Sequence, residues 1–360
     1  MKCRMCLVGA VLAGLACGVA AGQEGPFLGR WALTPESGGA GWLEVRNDAG
    51  YFDGTLLWMG GSPEPQTRVF FDGDTLHALR VREDEVKDAA GKVVRKQTHP
   101  ILVTATVSGD TMQGMFSEPA SDGKSIARQA FTGVRIPDLP PAPDLSKVEF
   151  GKPVQLFNGR NLDGWVIIGG PHWAEVKSKR PEGGKVEGWV AVDDGVSNGW
   201  SVRDGVLVND PVQHEGQPHI RYGNIATVDE FEDFNLTLDV NVLPNGNSGV
   251  YLRGIYEVQV LDSFGKPLDR HNMGAIYGRT APTLSAEKAA GEWQTLDITL
   301  VDRHVTVKLN GQTILDNQPL MGCTGGALWS DEFRPGPIYL QGDHTGVEYR
   351  NILLRPVVRK

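Results

Sequence analysis

The stretch Asn247–Asp262 reads NSGVYLRGIYEVQVLD. It decides the fold class, because apolar residues alternate in it with large polar ones. Side chains alternate across a β-strand, so parity assigns each to one of two faces. Val250 and Leu252 share one face, and Tyr251 and Arg253 share the other. Val258 and Val260 likewise oppose Glu257 and Gln259. The same parity sets Ile338 and Leu340 against Tyr339 and Gln341, and Val347 and Tyr349 against Glu348 and Arg350. The apolar set suits a core between two sheets. The other set carries planar hydrogen-bonding groups where a solvated face normally carries Thr, Ser, Lys and Glu. Such groups suit a sugar, which needs donors, acceptors and an apolar surface to stack on. The alternative is a wet outer face with cross-strand pairs such as Arg253 with Glu257.

Outward from this stretch the text stays β. FNLTLDVNV (234–242), TLDITLV (295–301) and HVTVKLNG (304–311) alternate, and Asp302-Arg303 marks a hairpin turn between the last two. No long amphipathic helix is present; only APTLSAEKAA (281–290) reads as one or two helical turns. Two antiparallel sheets packed face to face are the natural solution for residues 148–360. Upstream, IPDLPPAPDLSK (136–147) holds four prolines in twelve residues. That density predicts a stiff extended linker. Residues 24–135 show short apolar runs such as GWLEV (41–45), TLHALRV (75–81) and ILVTATV (101–107), punctuated by NDAG, DGD and SGD. They predict a small all-β domain, a barrel or sandwich, with Arg30-Trp31 and Phe131-Thr132-Gly133 suiting a lipocalin-like barrel.

The first 22 residues read as a secretory leader. Lys2 and Arg4 precede an apolar run from Leu7 to Ala21, and small residues follow at Ala20-Ala21-Gly22. The run is too short and too rich in Gly and Ala for a transmembrane span. A periplasmic or secreted protein is the expectation, with lipid anchoring at Cys17 as the alternative; Leu15 sits one place too late for a good lipobox. Cys3, Cys6 and Cys17 all fall in the leader, leaving Cys323 and no internal disulfide. Removing Lys2 and Arg4 from 35 basic residues leaves 33 against 44 acidic ones, a net charge of −11. With no basic stripe, nucleic acid is not an expected partner. A small neutral ligand is. Oligomeric state is not legible.

Four groups of residues could carry chemistry. Glu257 and Asp262 form the leading carboxylate pair. Strict alternation puts them on opposite faces, and a bulge or strand end would bring them to one rim; otherwise Asp262 caps a turn. Asp343 and His344 follow a strand in QGDHTG, where the imidazole suits a general base. The pair also suits a divalent metal ion, or a plain Asp turn with a packed His. His271 lies on a loop beside the site strands. Asn247-Ser248-Gly249 precedes the Tyr251 strand as a turn former. There is no G-x-S-x-G, P-loop, dinucleotide fingerprint, HExxH or EF-hand loop.

Six segments occur in order: PVQLFNGRNLDGW (153–165), NSGVYLRGIYEVQVLD, GAIYGRTAP (274–282), GEWQTLDITL (291–300), LNG (309–311) and GPIYLQGDHTGVEYRNI (336–352). In this arrangement residues from about 150 to 356 resemble the 3-keto-disaccharide hydrolase domain family. The resemblance implies a concanavalin-like jelly roll and a glycoside oxidised to a ketone at C3. That ketone acidifies the C2 hydrogen, so a base can remove it and the C1 oxygen can leave by elimination, with water adding back. On this reading His344 or Glu257 is the base, Asp262 or Asp343 the proton donor, and Arg253 or a divalent metal stabilises the enolate. Tyr251, Gln259, Tyr339, Gln341, Asn247 and His271 would bind substrate. Two alternatives stay open: a carbohydrate-binding protein without turnover, and an ordinary glycosidase on unoxidised glycans.

Overall fold

In the computed structural model the described residues are 25–169 and 195–360. The expected leader, with Cys3, Cys6 and Cys17, lies outside the described residues. Among the described residues there is no α-helix, only 3-10 turns at Gly25–Phe27 and Leu145–Lys147. None of their helices is long and apolar enough to cross a membrane. The helical turns expected at 281–290 do not form. Backbone groups there are taken by neighbours instead: Thr283 N donates to Ile314 O at 2.9 Å, and Lys288 N donates to the Gln294 side chain at 2.9 Å.

The first nine strands make one antiparallel sheet. They are β1 (Gly29–Pro35), β2 (Gly41–Asp48), β3 (Tyr51–Trp58), β4 (Gly60–Pro65), β5 (Arg68–Asp72), β6 (Thr75–Lys87), β7 (Val93–Ser108), β8 (Thr111–Pro119) and β9 (Ile126–Ile136). The order β4-β3-β2-β1-β9-β8-β7-β6-β5 is an up-and-down meander whose first and last strands pair. It is all-β as expected, yet no closed barrel forms, because β4 and β5 do not pair. Pro63 and Pro65 give the reason: without N–H groups they cannot extend a ladder, which confines β4 to an edge.

The remaining strands form a jelly-roll sandwich. They are β10 (Glu149–Phe150), β11 (Val154–Gln155), β12 (Trp165–Ile168), β13 (Trp200–Arg203), β14 (Val206–Asn209), β15 (Asn224–Thr227) and β16 (Phe234–Val242). They continue with β17 (Asn247–Leu252), β18 (Tyr256–Leu261), β19 (Trp293–Val301), β20 (His304–Leu309), β21 (Gln312–Pro319), β22 (Tyr339–Leu340) and β23 (Val347–Arg359). The larger sheet runs β13-β14-β23-β16-β19-β20-β21, and the smaller runs β12-β15-β22-β17-β18. Asp302 and Arg303, at φ 46° and 58°, form the two-residue turn between β19 and β20.

One buried cluster fills the space between the sheets. Val250, Leu252, Val258, Val260 and Leu340 of the smaller sheet meet Leu236, Val240, Ile298, Val307 and Leu354 of the larger. Trp165 closes one end, its indole N–H donating to Leu156 O at 2.7 Å. Ala40, Trp42, Leu57 and Ile136 of the N-terminal sheet belong to the same cluster, so that sheet is packed onto the sandwich. Cys323 is buried where the two meet, and burial pushes its thiol up to about 12, which makes it inert.

Candidate active site

The outer face of the smaller sheet is not solvated. Tyr251 and Tyr339 face each other across β17 and β22, with rings stacked at 4.3 Å and 18°. Glu257 is the cross-strand partner of Tyr251, and Gln259 that of Gly249. Tyr251, Tyr339, Glu257 and Gln259 line a cavity of about 200 Å³ together with Gln341 and Asn247. Asp343 and His344 close one side of it, Tyr277 and the backbone of Gly325 and Gly326 another, and Gly60 and Gly61 of the N-terminal sheet a third. Three planar amides, three phenols and an aromatic stack suit a hydroxylated ring. The Gln341 Oε1 is buried without a partner. Such an acceptor costs about 1–3 kcal/mol unless a ligand supplies the missing donor.

Glu257 is the central group. Burial raises its carboxyl to about 8, the bond from Tyr251 opposes this, and the charge of Asp343 adds to it. The Tyr251 hydroxyl oxygen lies 2.9 Å from Glu257 Oε2 and 2.7 Å from Gly325 O. One hydroxyl proton cannot serve both acceptors. A protonated Glu257 resolves the conflict: it donates to the phenol, and the phenol donates to Gly325 O. The carboxyl lies directly over Gly249, where a Cβ would come within 2.3 Å of Oε1. Gly249 is therefore the floor on which the acid rests, which accounts for the third residue of Asn247-Ser248-Gly249.

Asp343 accepts from His344 Nδ1 at 2.7 Å, and this bond holds the imidazole above its ordinary pKa of 6.5 against partial burial. It leaves Nε2 as the nitrogen available to a substrate. The supporting loop is built from buried amides. Asn224 Oδ1 accepts from Gly342 N at 2.7 Å and Asp343 N at 3.2 Å, while Asn209 Nδ2 donates to Gly342 O and Thr345 O at 2.9 and 3.2 Å.

The structure brings together Glu257, Asp343, His344, Tyr251, Gln259, Tyr339, Gln341 and Asn247. Arg253 and Asp262 it does not. β17 ends at Leu252, and Arg253 adopts φ 54°, so alternation fails there. The guanidinium turns instead to Glu332 O, beside the buried Arg303–Glu332 pair at 3.1 Å. Asp262 follows the end of β18 and caps a turn, accepting from Asn245 N at 2.9 Å. His271 lies outside the cavity lining, one ring away, edge-on to Tyr277 at 5.2 Å. Tyr277, Gly325, Gly326, Gly60 and Gly61 were not singled out from sequence. Only Tyr277 had a signal, the GAIYGRTAP segment. Among the described residues no group of three or more His, Cys, Asp and Glu converges as a metal centre would need. That donor set does not fit a bound divalent ion.

A family model described as 3-keto-alpha-glucoside-1,2-lyase-like domain matches residues 152–355. No curated protein matches the chain. Among solved structures, a candidate glycosyl hydrolase from Parabacteroides distasonis ATCC 8503 is 27% identical over 61% of this chain and 93% of its own, with a TM-score of 0.40. A second from the same organism is 21% identical over 57% and 93%, with a TM-score of 0.39. An endo-beta-1,3(4)-glucanase of family GH16 is 10% identical over 62% and 95%, at 0.32. The family match spans more than half of the sequence, and the chain belongs to the 3-keto-alpha-glucoside-1,2-lyase-like domain family.

Proposed function

We propose that the protein cleaves the glycosidic bond of 3-keto-glycosides by elimination followed by hydration. Family membership supports glycoside cleavage in general; the acid–base pair on the cavity supports this route. His344, oriented by Asp343, takes the C2 proton through Nε2. The electrons of that C–H bond move toward the C3 carbonyl, and the C1–O bond breaks. Glu257, neutral up to a pH of about 8, gives its proton to the departing oxygen. The phenol and amide donors of Tyr277, Gln259 and Asn247, which line the cavity, would stabilise charge at the substrate oxygens. Water then adds at C1 and a proton returns to C2, so the sum is hydrolysis.

The observation that carries this reading is a buried carboxyl, its pKa raised by burial, sharing a cavity with an Asp-oriented imidazole. Ordinary retaining hydrolysis needs an ionised carboxylate facing the anomeric carbon. Asp343, the other carboxylate on the cavity, is engaged with His344. The test incubates the protein with 3-ketolactose and 3-ketotrehalose, beside lactose and trehalose, in deuterated water. Release from the keto forms alone, with deuterium at C2 by mass spectrometry, is expected. Release from unoxidised sugars, or product without deuterium, refutes the elimination route. Binding without release favours a carbohydrate-binding protein.

A further inference from the structure

A second cavity, of about 230 Å³, opens in the N-terminal sheet next to the site, and Gly60 lines both. We propose that this cavity is the leaving-group subsite and takes the second sugar ring of a neutral glycoside. The proposal rests on the glycoside-cleaving reading above and deepens it.

Size is the first consideration. Small-molecule sites usually span about 300–1,000 Å³. Each cavity alone falls below that range, and the two together fall within it. No side chain stands at the residue they share, and a Cβ at Gly60 or Gly61 would meet nothing within 4 Å. The start of β4, which bears these glycines, is clamped against the sandwich. A Cβ at Gly325 would come within 2.2 Å of Gly61 O, and Gly326 N donates to Met59 O at 3.2 Å. Ser62 ties the same edge to the sandwich, bonding His271 Nε2 at 2.8 Å and the hydroxyl of Tyr277.

The lining chemistry selects the class of ligand. Trp58 lies flat on Phe116 at 4.5 Å and offers an apolar surface. Its charges are balanced: Arg80 pairs with Glu64 at 3.4 Å and Arg82 with Glu118 at 3.2 Å. A paired lining of this kind has no excess charge to recruit an anion or a cation. Gln66 donates to Glu64 O at 3.1 Å, yet its Oε1 is buried without a partner. An aromatic face, paired fork-shaped groups and a spare acceptor match an uncharged polyhydroxylated ring.

The test compares 3-ketotrehalose with methyl 3-keto-α-glucoside, which lacks the second ring. Gly60→Leu places a side chain in the open space where the two cavities meet, at a backbone position outside the left-handed region. We expect the ratio of kcat/KM for the disaccharide over the methyl glycoside to fall about tenfold or more, mainly through KM. Should Gly60→Leu fold poorly by circular dichroism, the double variant Arg80→Ala, Gln66→Ala reads the same ratio. An unchanged ratio overturns the subsite. If the wild-type protein cleaves neither substrate, the proposed function fails separately, and calorimetry with trehalose and methyl glucoside decides the subsite. Selective loss of trehalose binding in the variant supports it; equal loss, no loss or no binding overturns it.

Discussion

Two Asp–His pairs sit within the same half of the molecule and share one hydrogen bond, from imidazole Nδ1 to a carboxylate oxygen close by in sequence. His344 Nδ1 meets Asp343 Oδ1 at 2.7 Å, and His271 Nδ1 meets Asp269 Oδ1 at 2.5 Å. Both imidazoles are partly exposed. The far nitrogen separates them. In His271, Nε2 is occupied by Ser62 of the N-terminal sheet. In His344, Nε2 is left for the cavity that holds Glu257. An Asp–His hydrogen bond alone thus does not mark a catalytic base. What the second nitrogen meets, and whether an acid stands across from it, decides the role.

The largest expected effect breaks this symmetry directly. His344→Ala should lower kcat by about 10²–10⁴-fold, the range for loss of general acid–base catalysis. Glu257→Gln should do the same. His271→Ala should cost far less, and its loss should appear in KM because it loosens Ser62 and Tyr277 at the edge of the site. Steady-state kinetics on a 3-keto-glycoside checks all three, and equal losses at the two histidines would refute the assignment.

Next in size is the support beneath the acid. Gly249→Ala adds a methyl group whose carbon would fall 2.3 Å from Glu257 Oε1. The backbone there is not left-handed, so the effect is steric alone. Displacing a reacting group by about 1 Å can cost about 10²-fold, and a loss of that order in kcat is expected. Activity within twofold of wild type would mean that Glu257 is not held where the chemistry needs it.

The same features show what could be read from the chain alone. Alternation placed Tyr251, Glu257 and Gln259 on one face, since β17 and β18 are regular and paired without a bulge. It failed at Arg253, one residue past the strand, where a left-handed backbone redirects the side chain. Parity rules hold only while the strand does. Asp262 is a different case: alternation already set it opposite Glu257, and the strand end turned it to cap Asn245, its alternative reading, and not to the rim. Gly60 and Gly61 were illegible for a different reason. They contribute backbone and empty space, and they arrive from a sheet far away in sequence. The open seam beside β5 was readable in principle from Pro63 and Pro65. The alternating runs around them favoured closure instead.

The pH profile sharpens the comparison further. The base must be neutral and the acid protonated, so kcat/KM should rise through the pKa of His344, above 6.5, and fall near 8. Asp343→Asn removes the bond that raises His344, so the lower limb should move toward more acid pH. A 4-nitrophenyl leaving group needs no proton, and with it the upper limb should flatten. Asp269→Asn should leave both limbs in place. A lower limb that follows Asp269 and ignores Asp343 would exchange the roles of the two pairs.

The smallest effect is on stability, and its sign is unusual for a carboxylate. Glu257 has a folded pKa of about 8 against an ordinary value of 4.5. Between those values the folded chain keeps a proton that the unfolded chain has released. Its contribution is fully present below about 4.5 and is lost as pH rises through about 8. Gln cannot ionise, so Glu257→Gln should match or exceed wild type in Tm, and the gap should widen from pH 5 to pH 8 and then level off. Each ~1 kcal/mol corresponds to roughly 1–2 °C for a chain of this length, within the reach of calorimetry. His344→Ala, at a partly exposed position, should show no such widening. A gap that is constant with pH would mean that Glu257 is already ionised in the folded protein. The proton donor would then have to be sought elsewhere on the cavity, with Tyr277 the next group in line.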